Sequence, residues 1–74
     1  MRRIGEVVRV RERLAVARAP GSDHPDICET ALDEELEAVG RVVDVIGPVD
    51  RPYVVVHLPE RAPASVLNEP LYVR

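Results

Sequence analysis

Seventy-four residues make one small domain, spanning 1–74. A chain of this size buries only about 60% of its unfolded surface, which leaves no room for both a deep cleft and a full core. The formal net charge is −3, every basic residue is arginine, and Tyr53 and Tyr72 are the only aromatic residues; the basic excess and stacking platforms of a general nucleic-acid binder are therefore missing.

Arg3 to Val10 reads as a first strand, with Ile4, Val8 and Val10 on one face at period two and Glu6 as an exception. Arg11, Glu12 and Arg13 form a charged tip, and Leu14 to Ala19 returns as the second strand of a hairpin. Arg9, Arg11 and Arg13 alternate, so they line one face. A solvated strand face is the plain reading of that stripe, and contact with RNA phosphate is the sharper one. The interleaved Glu6 and Glu12 favour the plain reading.

Pro20 to Asp26 is a loop by composition, since Gly, Pro, Ser and Asp each favour turns. His24 and Cys28 stand near Asp23 and Asp26, but one Cys and one His do not make a nitrogen and sulfur ligand set, so no metal site is expected. A semi-buried Cys28 and a surface His24 are expected instead. The lone cysteine forms no internal disulfide. Ile27 to Leu32 reads as a short strand. Asp33-Glu34-Glu35 is either the start of a two-turn helix, with Leu32, Leu36 and Val39 at helical spacing, or an acidic turn. The residues alone leave both readings open.

Val39 to Val56 organises the chain. Two β-branched runs, Val42 to Ile46 and Tyr53 to Val56, flank a Gly-Pro-Val-Asp-Arg-Pro corner. Gly47 is free to take φ > 0, while Pro48 and Pro52 fix φ and give no ladder hydrogen bond, so the corner leaves the sheet as a stiff loop. In the first run Val39, Val43 and Val45 face one way and Val42 and Ile46 the other, so both faces are apolar. In the second, Tyr53, Val55 and His57 face out and Val54, Val56 and Leu58 face in. One face of a small barrel looks inward, so the outward apolar residues form a patch that something else covers. Glu60 to Pro70 is a second loop, anchored by Val66 and Leu67, and Leu71 to Val73 is short enough to close a barrel against the first strand. No internal repeat, phosphate loop or nucleophile motif is evident, so no catalytic residue, cofactor or small-molecule substrate is expected.

Five to seven short strands with Pro/Gly loops point to an all-β fold, a small β-barrel. Val39-Gly40, Val42, Asp44-Val45, Gly47-Pro48-Val49 and Pro52-Tyr53-Val54 resemble the core signature of the Gar/Naf family, accessory proteins of the H/ACA ribonucleoprotein that carries out RNA-guided pseudouridylation. Arg3-Ile4-Gly5 and Leu71-Tyr72-Val73 resemble the opening and closing strands of archaeal members. The resemblance implies a closed six-stranded barrel of the elongation-factor and reductase-isomerase type, in which Asp33-Glu34-Glu35 is a turn leading into the signature strand. It implies a non-catalytic subunit that binds the catalytic pseudouridine synthase subunit and touches guide and substrate RNA only indirectly. Such a subunit influences a mobile loop of the enzyme, and so the loading and release of substrate in rRNA modification and ribosome biogenesis. Many members carry basic or Gly-Arg tails; this chain ends at Arg74, so no tail-mediated RNA contact is expected.

The residues expected at the partner are Val45, Ile46, Pro48, Val49, Pro52, Tyr53 and Val55, with Gly47 shaping the corner and Asp44 holding strand or corner geometry by hydrogen bonding. The alternative is a direct RNA-binding ribosome-maturation barrel that uses Arg9, Arg11 and Arg13. No apolar run approaches the ~20 residues of a membrane span, and the N-terminus lacks a signal-peptide core, so a soluble cytoplasmic protein without a membrane partner is expected.

Overall fold

A computed structural model describes residues 2–59 and 66–74. The described residues form six strands: β1 (Arg2–Arg11), β2 (Leu14–Arg18), β3 (Thr30–Leu32), β4 (Ala38–Ile46), β5 (Tyr53–His57) and β6 (Pro70–Val73). They close into an antiparallel barrel in the order β1-β2-β5-β4-β3-β6. Closure leaves no free edge for another chain to extend. The last strand does pair with the first, through Arg2↔Val73 to Glu6↔Pro70. The acidic segment after β3 is a turn. The Asp33 carboxylate accepts from the amides of Glu35 and Glu37, and Leu36 N donates to Asp33 O, which uses the local backbone groups that a helix needs.

The interior is aliphatic. Ile4, Val7, Val42, Val54, Val56, Leu58, Val66, Leu71 and Val73 are fully buried. Alanines oppose the larger side chains: Ala15 pairs with Val56 and Ala17 with Val54, which fits small and large residues into a narrow barrel.

Strict period-two alternation fails in β1 and β4, and bulges are the reason. The ladder slips between Val7 and Arg9 and between Val42 and Asp44. The extra residue in each bulge turns outward, so Val8 and Val43 are exposed. Val8 therefore does not share the inner face with Ile4 and Val10. In β4 the inward set is Val39, Val42 and Val45, and the outward set is Val43 and Ile46. The expected phase of that strand is corrected accordingly.

A second correction concerns repetition. The barrel ladder maps onto itself when β1, β2 and β3 are exchanged with β4, β5 and β6. Ile4-Gly5, Val7-Val8 and Val10 correspond to Val39-Gly40, Val42-Val43 and Val45. The ladder Glu6↔Arg18, Val7↔Ala17, Arg9↔Val16, Val10↔Ala15 and Arg11↔Leu14 becomes Arg41↔His57, Val42↔Val56, Asp44↔Val55, Val45↔Val54 and Ile46↔Tyr53, with the bulge in the same place. Hydrogen bonds outside the strands repeat too. Cys28 N donates to Val42 O at 2.8 Å where Asn68 N donates to Val7 O at 2.9 Å. Ala19 N donates to Pro52 O at 3.0 Å where Leu58 N donates to Arg13 O at 2.8 Å. Left-handed residues coincide as well: Cys28 (φ 79) with Asn68 (φ 69), and Glu12 (φ 55) with Gly47 (φ 87). The pairs Val16↔Val55 and Leu32↔Tyr72 map onto themselves and mark the pseudo-twofold axis.

The strand expected over Ile27 to Leu32 is shorter than its apolar run, because Ile27 and Cys28 form the repeated turn. Cys28 is exposed there, not semi-buried. Val66 is the buried anchor of the second loop, whereas Leu67 is exposed; residues 60–65 of that loop lie outside the described ones. Asn tolerates the left-handed region better than most residues, so Cys28→Asn is expected to stabilise the domain by about 0.5 kcal/mol. A β-branched Cys28→Val is expected to destabilise it by about 1–2 kcal/mol. Urea unfolding of both variants checks the equivalence with Asn68.

Candidate functional site

The outer face of β1, β2, β5 and β4 carries three cross-strand rows. Glu6, Arg18, Tyr53 and Ile46 form the first, Arg9, Val16, Val55 and Asp44 the second, and Arg11, Leu14, His57 and Arg41 the third. The bulged Val8 and Val43 add two valines to the same face. Side chains directly opposite on neighbouring strands lie about 4.5–5.5 Å apart. Val16 and Val55 are thus brought together on the pseudo-twofold axis, Leu14 follows Val16 on the same face of β2, and Val8 and Val43 stand on the flanking strands β1 and β4. The middle of this face is aliphatic on a barrel whose other face is already the core.

At one end of the face stands the Gly47–Pro52 corner. Arg51 N donates to Pro48 O at 3.3 Å, closing a turn. Ala19 ties the corner to the end of β2: its amide donates to Pro52 O, and its carbonyl accepts from Arg51 Nε, both at 3.0 Å. Three hydrogen bonds, added to two fixed proline φ angles, hold the loop. Pro48 and Gly47 are exposed, Ile46 is 47% exposed and Val49 is 86% exposed. An aliphatic side chain held so far into water gains nothing from the fold itself.

Tyr53 supports the corner from below. A Cβ on Gly47 would stand 2.9 Å from Tyr53 Cδ2, so the ring lies directly under the glycine. Gly47 is required twice, for its φ of 87° and for this close approach. The Arg18 guanidinium covers the ring with its carbon 5.0 Å from the centroid, and Arg18 Nη1 donates to the Tyr53 hydroxyl at 3.0 Å. Asp44 Oδ1 accepts from the amide of Val45 at 2.8 Å, which is the backbone-holding role expected for it.

The structure sorts the expected partner residues into two groups. Ile46, Gly47, Pro48 and Val49 stand at the surface, and Tyr53 is half-buried beside them. Pro52 is buried and serves as a structural anchor; Val45 points inward and packs against the core. Val55 faces outward but is only 9% exposed, because Val16, Asp44 and the bulged valine flank it. Arg9, Arg11 and Arg13 are all exposed, the first two on the outer face and the third in the β1–β2 turn.

Sequence reasoning missed Val8, Leu14, Val16 and Val43 as outer-face residues. The signal was present as the doubled valines Val7-Val8 and Val42-Val43, each following a glycine at the same spacing. Among the described residues, no three His, Cys, Asp or Glu side chains converge. No protein-family model matches the chain, and no curated protein matches it significantly.

Proposed function

We propose that the protein is a non-catalytic accessory subunit of an archaeal H/ACA ribonucleoprotein, docking on the catalytic pseudouridine synthase subunit through its outer apolar face. The observation that carries this reading is the corner itself: Val49 is an exposed aliphatic residue on a loop fixed by three hydrogen bonds and two prolines, and the exposed Ile46 ends β4 beside it. An interface core is built from apolar anchors that are pre-positioned, because ordering them on binding costs affinity. The Gar/Naf-like signature runs through this same corner, which supplies the identity of the partner. Docking changes the synthase only if the subunit interacts unequally with the open and closed states of the enzyme's mobile loop. The proposed effect on substrate loading and release is such a population shift.

The test is a calorimetric titration of the purified chain into the synthase subunit and, separately, into bare guide RNA. Saturable 1:1 binding to the synthase, with a negative heat-capacity change from apolar burial and no binding to RNA, is the expected result. The exposed Arg9, Arg11 and Arg13 favour the second reading, an RNA-binding ribosome-maturation barrel. Binding to bare RNA that weakens steeply with salt, with none to the synthase, would replace the first reading by the second.

A further inference from the structure

The pseudo-twofold axis through Val16 and Val55 makes the two ends of the outer face equivalent in backbone, yet their side chains differ. At one end are Ile46, Tyr53 and the Gly47-Pro48-Val49 corner. The equivalent row at the other end is Arg11, Leu14, His57 and Arg41, with Arg13 in the adjoining turn. Most of the described arginines divide in the same way. Arg2 and Arg3 pair with Glu29 and Glu6, while Arg18 and Arg51 are hydrogen-bonded at the corner end. Arg11, Arg13 and Arg41 are exposed and have no ion-pair partner among the described residues. Arg9, in the middle row, and Arg74 are exposed and unpaired too, so in a chain of net charge −3 three of the five unpaired arginines among the described residues stand at one end of the docking face.

We propose that this basic end receives carboxylates of the same protein partner that covers the apolar corner. The proposal rests on the docking reading given above. A face with twofold backbone symmetry offers two approach directions to an aliphatic surface. Placing cations at one end admits the direction that brings the partner's acidic side chains onto Arg11, Arg13 and Arg41, and opposes the reverse one. A protein surface fits this end better than RNA does. Leu14 and Val43 lie among the arginines, Glu12 and Asp44 flank them, and among the described residues the His57 imidazole is the one ring in that row, with no Tyr, Phe or Trp beside it for a base to stack on.

The experiment compares the wild-type chain, an Arg11→Ala/Arg13→Ala/Arg41→Ala variant and the corresponding triple Lys variant. Each is titrated with the synthase subunit without RNA, and with bare guide RNA, at low and high salt, after circular dichroism has established folding. The Ala variant is expected to bind the synthase about tenfold more weakly at low salt, mainly through slower association, and to lose most of the salt dependence. The Lys variant, which keeps the charges, is expected to stay within about threefold of wild type. Equal affinity and salt dependence in the Ala variant would overturn the inference and leave the docking reading intact. A Lys variant as weak as the Ala variant would overturn it by making the effect one of packing. Loss of RNA binding alone, with the synthase still bound at full strength, would overturn it in favour of a phosphate site. A wild-type chain that does not bind the synthase would bring down both readings together.

Discussion

Gly40→Ala is expected to remove most of the stability of the domain. A Cβ at this position would stand 2.0 Å from the carbonyl oxygen of His57 and 3.1 Å from Val56 Cγ1. The obstructing atom is backbone in the neighbouring strand, so relief requires β4 and β5 to separate where Arg41 pairs with His57. A domain of this length is stable by roughly 4–11 kcal/mol. Displacing one barrel strand from another belongs with the rare losses of about 4 kcal/mol or more, equivalent to a drop in melting temperature of about 15–30 °C. The repeat makes a paired prediction. Gly5 stands at the equivalent position over Arg18, with a Cβ that would lie 2.1 Å from its carbonyl oxygen and a φ of 151° that L side chains rarely adopt. Gly5→Ala is expected to be at least as damaging. Gly21 is the control: nothing lies within 4 Å of its missing Cβ, and Gly21→Ala is expected to change stability by less than about 1 kcal/mol. Thermal and urea unfolding of the three variants measures this directly. A mild Gly40→Ala would contradict the close approach of β4 to the His57 carbonyl.

The second large effect is on binding. Val49→Asp and Ile46→Asp are expected to leave the fold within about 0.5 kcal/mol of wild type, since both side chains extend into water. In the proposed complex the same positions are apolar anchors at one end of the interface. A carboxylate there loses its hydration without gaining a partner, and a weakening of the dissociation constant by about a hundredfold, or roughly 2.7 kcal/mol, is expected for each. Leu36→Asp provides the comparison. Leu36 is as exposed as Ile46 but sits on the β3–β4 turn, away from the outer face of β2, β5 and β4. Its substitution is expected to leave synthase binding unchanged. Titration of the synthase subunit with the three variants separates a specific corner from a general loss of surface hydrophobicity.

The barrel class was legible because its signals are local. β-branched runs, proline-bounded corners and the alternation of Val54, Val56 and Leu58 against Tyr53, Val55 and His57 each depend on neighbouring residues. The corner was legible for the same reason, since Gly47 and Pro48 declare their backbone requirements in the sequence. The faces of β1 and β4 were not, because a bulge shifts the phase by one residue and leaves no trace in propensity. Plain alternation sets Val42 opposite Val39 and Val45, when all three point inward. The burial of Pro52 depends on a hydrogen bond from Ala19, a residue distant in the chain. The repeat escaped because its identical residues are few. Gly5 and Gly40 share a steric need that appears only when Arg18 and His57 are placed across from them.

The proposed docking face is most directly tested by nuclear magnetic resonance of the isotope-labelled chain titrated with unlabelled synthase subunit. Perturbed amides are predicted at Ile46, Gly47, Val49 and Tyr53, and along the outward positions Leu14, Val16 and Val55. Those of Leu32, Leu36 and Tyr72, at the other end of the pseudo-twofold axis, are predicted to stay in place. Perturbations centred on Leu32, Leu36 and Tyr72, with the Gly47-Pro48 corner unmoved, would contradict the account.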